Sequence, residues 1–486
     1  MSPQPTTPSP LQGEGWDGGR NSAPCLPTQT AIIGGGYAGM AAAVELAARG
    51  VNVTVFESAR QLGGRARGVS TPHQVLTTNQ LAPPSLQLSS TGREGAPPLT
   101  GDALILDNGQ HLLLGCYRET LRLIEAVGGN LEQDFLRLPL QLDLHGHLRF
   151  RAPALPAPLH LLAALAGAEG LSWAERLKAA RFMLGLRLSG FRLERDCTVA
   201  ELLARRGQNA DLTFKLWEPL TVAALNTPIA KASAQVLLNV LRDALDRRRA
   251  DSDMLLPRLD FGALFPQRAA RFVEERGGAV HLSCGVTRII PVEDGFELET
   301  PLGVQRFSQV ICAAPPVVAA RLLRPLPKLA EAVAQIDALE HQPIYTVYLQ
   351  YSSEMQLPHP MLGLHQRISQ WLFDKGQIAG QHGLIASVIS AEGRHQGWSH
   401  AELVAQVAAE LQEEFGFPAQ PLWHQVIAEK RATFCCAPNL SRPNQRTALP
   451  GLWLAGDYTA GDYPATLEGA VMSGVRCARL CLPDRK

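Results

Sequence analysis

The chain has 486 residues, more than one ordinary core can hold, so length alone implies two or three domains. Lys plus Arg and Asp plus Glu total 45 each, which excludes the bulk basicity of a nucleic-acid binder and gives no case for a generally acidic partner. A hydrophobic fraction of 46% with few aromatics fits an α/β protein with apolar material to spare for an oily tunnel, and nine cysteines without a C-x-x-C pair fit a reduced cytoplasmic chain.

Residues 1–28 carry Pro, Gly, Ser and Thr without a continuous apolar stretch, and read as a disordered leader and not as a secretory signal. From Thr30 the sequence becomes TAIIGGGYAGMAAAVELAARGVNVTVFESARQLGGRAR. A short apolar strand ends at Ile33, and Gly34, Gly36 and Gly39 form a G-x-G-x-x-G turn around Tyr37 and Ala38. Such a turn lets backbone approach a pyrophosphate while the following helix points its N-terminal amides at the same oxyanions. Gly50 stops that helix, Val51, Val53 and Val55 alternate as a second strand, and Glu57 lies eighteen residues beyond Gly39, placed to accept hydrogen bonds from ribose hydroxyls. Gly63, Gly64 and Arg65 follow within eight residues, adding a second flexible turn and a fixed cation.

The insertion at 79–102 is rich in Pro, Gly and Ser and reads as a surface loop. Order is expected to return at Ala103 to Asp107, and Asn108, Gly109, Gln110 and His111 then precede a helix over Tyr117 to Val127. From Leu138 to Asp251 the chain reads as apolar and basic helical segments. Ser172 and Glu175 have capping-box spacing at the start of a helix on which Trp173, Leu177, Leu184 and Leu188 share a face margined by arginines. Asn226 and Pro228 read as a helix terminator. A helix is expected over Pro266 to Arg276, a strand beginning at Val286, and a hairpin over Phe296 to Phe307. Strands follow at Ile344 to Tyr351, Trp371 to Asp374 and Leu384 to Ser390, then a helix at Ala401 to Phe415. No histidine has metal-ligand spacing, and no segment reaches the roughly 18 apolar residues of a spanning helix. The last signal is a strand from Leu452 to Ala455, then Gly456 and Asp457, then a helix near Thr466 and Leu467 carrying the small residues Gly469, Ala470 and Gly474.

The two glycine runs and the closing LAGD segment resemble the flavin-containing amine oxidase and phytoene desaturase superfamily. Within it, DNGQHLLLGCY, AALNTP, HQPIYTVYLQY, QWLFDKG and GDYPATLEGAVMSG resemble the squalene-associated FAD-dependent desaturases. The resemblance implies an α/β fold: a Rossmann-like FAD-binding domain of 29–115, 252–318 and 449–486, with an interleaved α+β substrate domain of 116–251 and 319–448. It implies that non-covalent FAD is held by Gly34, Gly36, Tyr37, Ala38, Gly39, Glu57, Gly63, Gly64, Arg65, Gly109, Gln110, Val286, Gly456, Asp457, Thr466 and Leu467. Gly456 is expected to use its amide and Asp457 its side chain on the ribityl phosphate, and Val286 its backbone on the adenine. The implied reaction is reductive removal of the allylic hydroxyl of hydroxysqualene. Its proton donor is read from the residues: His111 is the first choice, with Asp107 raising its protonated fraction where the carboxylate lies close enough, Asp374 and Glu218 are further titratable candidates, and the alternative is that Asp107 caps a turn and His111 only hydrogen-bonds flavin or backbone. The same motifs serve phytoene desaturases and amine oxidases, so the redox direction and the electron donor stay open at the level of motif. An almost insoluble triterpene further implies peripheral membrane contact, expected near Pro156 to Leu188.

Overall fold

The computed structural model describes residues 29–71 and 104–482; the expected leader and the 79–102 insertion lie outside them. Five parallel strands form the nucleotide-binding sheet: β1 (Gln29–Ile33), β2 (Asn52–Phe56), β3 (Ala279–His281), β4 (Gln309–Cys312) and β5 (Leu452–Leu454), in the order β3-β2-β1-β4-β5. Sequence neighbours are thus outnumbered by strands drawn from distant parts of the chain. Ile32 of the central strand lies beside Val55 on one side and Ile311 on the other. Ala31, Ile32 and Ile33 of β1 and Val310, Ile311 and Cys312 of β4 are buried in succession, as expected of a parallel sheet covered on both faces.

Helix α1 (Tyr37–Ala47) is buried along its whole length, which explains its alanines. It packs against the C-terminal helix, here α4 (Leu467–Cys481), and against the helix Pro266–Glu274. At the first crossing a Cβ on Gly474 would stand 2.0 Å from the Ala38 carbonyl oxygen. Gly474 is therefore small for helix packing.

A seven-stranded sheet makes the second body. Its order is Trp423–Phe434, His341–Gln350, Leu384–Ser390, Trp371–Asp374, Met361–Gly363, Gln141–Leu144, Leu148–Arg151. The last two strands come from the region read as wholly helical, and they join the sheet by a parallel pairing of Gly363 with Leu144. One face, with Val347, Leu349 and Ile385, packs beneath the helix His400–Phe415. The other, with Tyr348, Ala386 and Val388, belongs to the main core, together with helices α2 (Leu159–Ala166) and α3 (Trp173–Leu188). Val286 is in the loop before the strand Arg288–Val292, two residues ahead of where that strand begins. The expected hairpin forms from Gly295–Thr300 and Gly303–Phe307.

Candidate functional site

The two glycine turns are one structure. The Gly63 amide donates to the Gly35 carbonyl at 2.9 Å, and Gly36 and Gly63 pair as a parallel bridge. Gly34 has φ +109, and its Cβ would lie 2.7 Å from the Ala313 oxygen; a Cβ on Gly39 would lie 1.9 Å from the oxygen of Gly34. Those two glycines are needed by the fold. At Gly36, by contrast, a Cβ would meet only the Gly64 Cα at 3.9 Å. Backbone here faces open space, the cradle that a close-lying phosphate requires.

Helix α1 starts at Gly36 with no side-chain cap and no acid in its first turn, so the amides of Tyr37, Ala38 and Gly39 are left to an external anion. The Tyr37 side chain does not face that anion. Its hydroxyl donates to the Phe261 carbonyl at 2.9 Å and its ring packs on Phe265. Glu57 closes the far end of β2; its carboxylate accepts from the amides of Gly35 at 2.6 Å and Ala59 at 2.8 Å, which orients it beside the turn. Cys284 donates to the Glu57 carbonyl at 2.8 Å, holding the loop with buried Val286 alongside.

Arg65 donates to Asp457 at 2.5 Å and to the Ala432 carbonyl at 2.7 Å, joining the second glycine turn to the C-terminal LAGD segment. Burial would depress the guanidinium pKa, but the Asp457 carboxylate more than compensates and the value is raised. One expectation is corrected at Gly456. Its amide donates to the Ser473 hydroxyl at 3.1 Å and is already engaged within the fold. Thr466 caps α4 by accepting from the Gly469 amide at 3.1 Å, and Leu467 opens the helix.

The Asp107 to His111 segment is organised otherwise than expected. Asp107 accepts from the Phe261 amide at 3.0 Å and lies 3.6 Å from the Lys375 ammonium, while the Tyr348 hydroxyl donates to its carbonyl at 3.0 Å. Lys375 also donates to Gln110 at 3.2 Å. His111 turns its Nδ1 to the Gly109 carbonyl at 2.5 Å and sets its ring edge-on to Phe261. Among the described residues Asp107 forms no hydrogen bond to His111. The imidazole pKa is lowered by burial, against the opposing pull of the Gly109 carbonyl, so the expected rise in its protonated fraction does not occur. Burial raises the Asp107 carboxyl pKa, with Lys375 and the Phe261 amide acting in the other direction.

Lys375 escaped the sequence reading, although it stands in the QWLFDKG stretch. The available signal was a lysine directly after an apolar run, Trp371 to Phe373, and the strand Trp371–Asp374 is buried at every position. Its neighbour Asp374 caps the following turn, accepting from the amides of Gln377 at 3.0 Å and Leu357 at 2.8 Å. Glu218 opens the helix that ends at Asn226, and burial raises its pKa.

Beside this segment runs an apolar cavity of about 310 Å³. Leu112, Leu114, Met254 and Trp371 line it near the His111 segment, Tyr463 and Thr466 line it at the start of α4, and it extends between α2 and α3 past Leu161, Met183 and Leu184. Among the described residues no group of three His, Cys, Asp or Glu could hold a metal, and no helix is long and apolar enough to cross a membrane.

The sequence matches the family described as flavin containing amine oxidoreductase over residues 37–482. It is 28% identical over 474 residues to the hydroxysqualene dehydroxylase of Sinorhizobium fredii, covering 94% of this chain and 99% of that protein. It is 24% identical to the zeta-carotene desaturase of Arabidopsis thaliana, covering 92% and 84%. The fold is similar to that of cyclohexylamine oxidase from Brevibacterium oxydans, with a TM-score of 0.62, 18% identity and coverage of 94% and 98%. With a dinucleotide cradle and an apolar cavity in one molecule, the chain belongs to the flavin-containing amine oxidoreductase family and is an FAD-dependent oxidoreductase.

Proposed function

We propose that this chain is a hydroxysqualene dehydroxylase, which converts hydroxysqualene to squalene and water. The observation that carries the reading is the apolar cavity lined by Thr466 at the start of α4 and by Leu112, the neighbour of His111, because it is a place for a long hydrocarbon beside one residue assigned to the flavin and next in sequence to the acid candidate. The similarity to hydroxysqualene dehydroxylases over nearly the full chain supports it. When bound, reduced FAD supplies a hydride. The allylic C–O bond breaks with its electron pair, the oxygen leaves as water after taking one proton, and the hydride pair forms the new C–H bond.

The protein has three tasks in this reaction. The leucine-lined walls exclude bulk water, so that an allylic carbon carrying positive charge meets no competing nucleophile. The Lys375, Asp107 and Gln110 cluster holds the Gly109 to His111 loop in place. His111 is the proton donor in this reading: its Nδ1–H is committed to the Gly109 carbonyl, which leaves Nε2 as the atom that gains and gives the proton. Because its pKa is lowered, the donor form is scarce at neutrality and becomes commoner as pH falls.

The test is product analysis. Under anaerobic conditions the chemically reduced holoenzyme, offered hydroxysqualene, should release squalene, and the oxidised holoenzyme should leave phytoene and primary amines unchanged. Dehydrogenation of phytoene without formation of squalene would replace this reading by desaturation, the direction in which the zeta-carotene relative is named.

A further inference from the structure

Helix α3 has two apolar faces. Inward, Ala179, Phe182 and Leu186 are buried, with Phe182 edge-on to Trp217 at 5.0 Å. On the opposite side Trp173 is 74% exposed, Leu177 51%, Leu184 57% and Leu188 81%. At 3.6 residues per turn these four positions fall within about 60° of arc. The inward face already fills the core, so the outward stripe adds nothing to folding. On the neighbouring α2, Leu159 and Leu162 are also exposed, and they extend the patch beyond a scatter of single residues.

The exposed charges of α3 itself have one sign. Arg176, Lys178, Arg181 and Arg187 flank the stripe, while the one acid of the helix, Glu175, is buried in the capping box with Ser172. Arg187 is paired with Asp246 at 3.2 Å, and Arg176 lies over Trp173 while donating to carbonyls at the end of α2. Lys178 and Arg181 have no ion-pair partner among the described residues. Leu162, Leu184 and Arg187 also line the cavity, so the cavity reaches the patch.

We infer that the α2 and α3 face docks on the interface of a bilayer containing anionic lipid, with the leucines and Trp173 at the acyl boundary, the cations on headgroups, and the cavity opening toward the hydrocarbon. A protein partner or second copy seated on the same face would cover the opening that an apolar substrate must use. The inference deepens the proposed function, on which it rests for its purpose; docking itself requires no turnover.

Flotation of the FAD-loaded protein with vesicles of phosphatidylethanolamine and phosphatidylglycerol tests it without substrate. Wild type should float, and W173Q/L177Q/L188Q should lose about tenfold or more of the bound fraction while keeping its flavin spectrum and melting temperature. K178E/R181E should lose the preference for phosphatidylglycerol over phosphatidylcholine. Equal flotation of wild type and the triple variant would overturn the proposal, as would wild type that stays unbound and sediments as a dimer that L188Q dissociates. Flotation of a wild type that makes no squalene would retain the docking face and remove the proposed reaction.

Discussion

At the residue scale, the glycines of one motif have two jobs. Gly39 has no room for a methyl group, and G39A should cost about 1–3 kcal/mol in urea denaturation, the range of an overpacked core. Gly36 has that room, so G36V should fold with nearly the wild-type melting temperature and yet purify colourless. A yellow, fully loaded G36V would show that the pyrophosphate lies elsewhere. His111 gives the pH prediction. With a lowered pKa, it should make reoxidation of the reduced enzyme by hydroxysqualene faster as pH falls from 7 toward 5, and H111A should flatten that profile while retaining flavin. A profile that H111A leaves unchanged would assign the proton to another group.

At the scale of elements, the capping box on α3 forms as its spacing indicated: Ser172 accepts from the Glu175 amide at 3.3 Å, and the Glu175 carboxylate accepts from Ser172 at 2.8 Å. S172A should lower stability by about 1 kcal/mol, read from the denaturant midpoint. Local signals of this kind were legible: the βαβ unit, the hairpin, the strands Trp371–Asp374 and Leu384–Ser390, and the helix His400–Phe415 all follow from period and caps. What escaped depends on distant partners. Gln141–Leu144 and Leu148–Arg151 are four residues each and find their place only by pairing across the chain with Met361–Gly363 and with each other. Trp423–Phe434 carries His424, Glu429, Lys430 and Arg431, and its polar positions are tolerated because it is an edge strand beside His341–Gln350. The roles of Gly474 and Lys375 were hidden for the same reason, since neither the Ala38 carbonyl nor Asp107 is near in sequence.

At the scale of the whole molecule, the strand pair that follows the second glycine turn and the seven-stranded sheet are fastened together by a buried ion pair. Lys375 follows the seven-stranded sheet, Asp107 ends the strand Leu104–Asp107 that pairs with Gly68–Thr71, and the two side chains are almost wholly excluded from solvent. Removing one partner leaves an uncompensated buried charge. K375M should therefore cost about 3–5 kcal/mol, and D107N/K375M should cost clearly less than the sum of the single changes, as measured by urea denaturation. Additive costs would mean that the pair does not act as a unit. In the proposed reaction this assembly brings a hydride to an allylic carbon whose hydroxyl leaves as water. It is tested most directly by single turnover: enzyme loaded with reduced FAD, mixed anaerobically with excess hydroxysqualene, should oxidise its flavin and release one squalene per flavin. Flavin that stays reduced, or that oxidises without squalene, would contradict it.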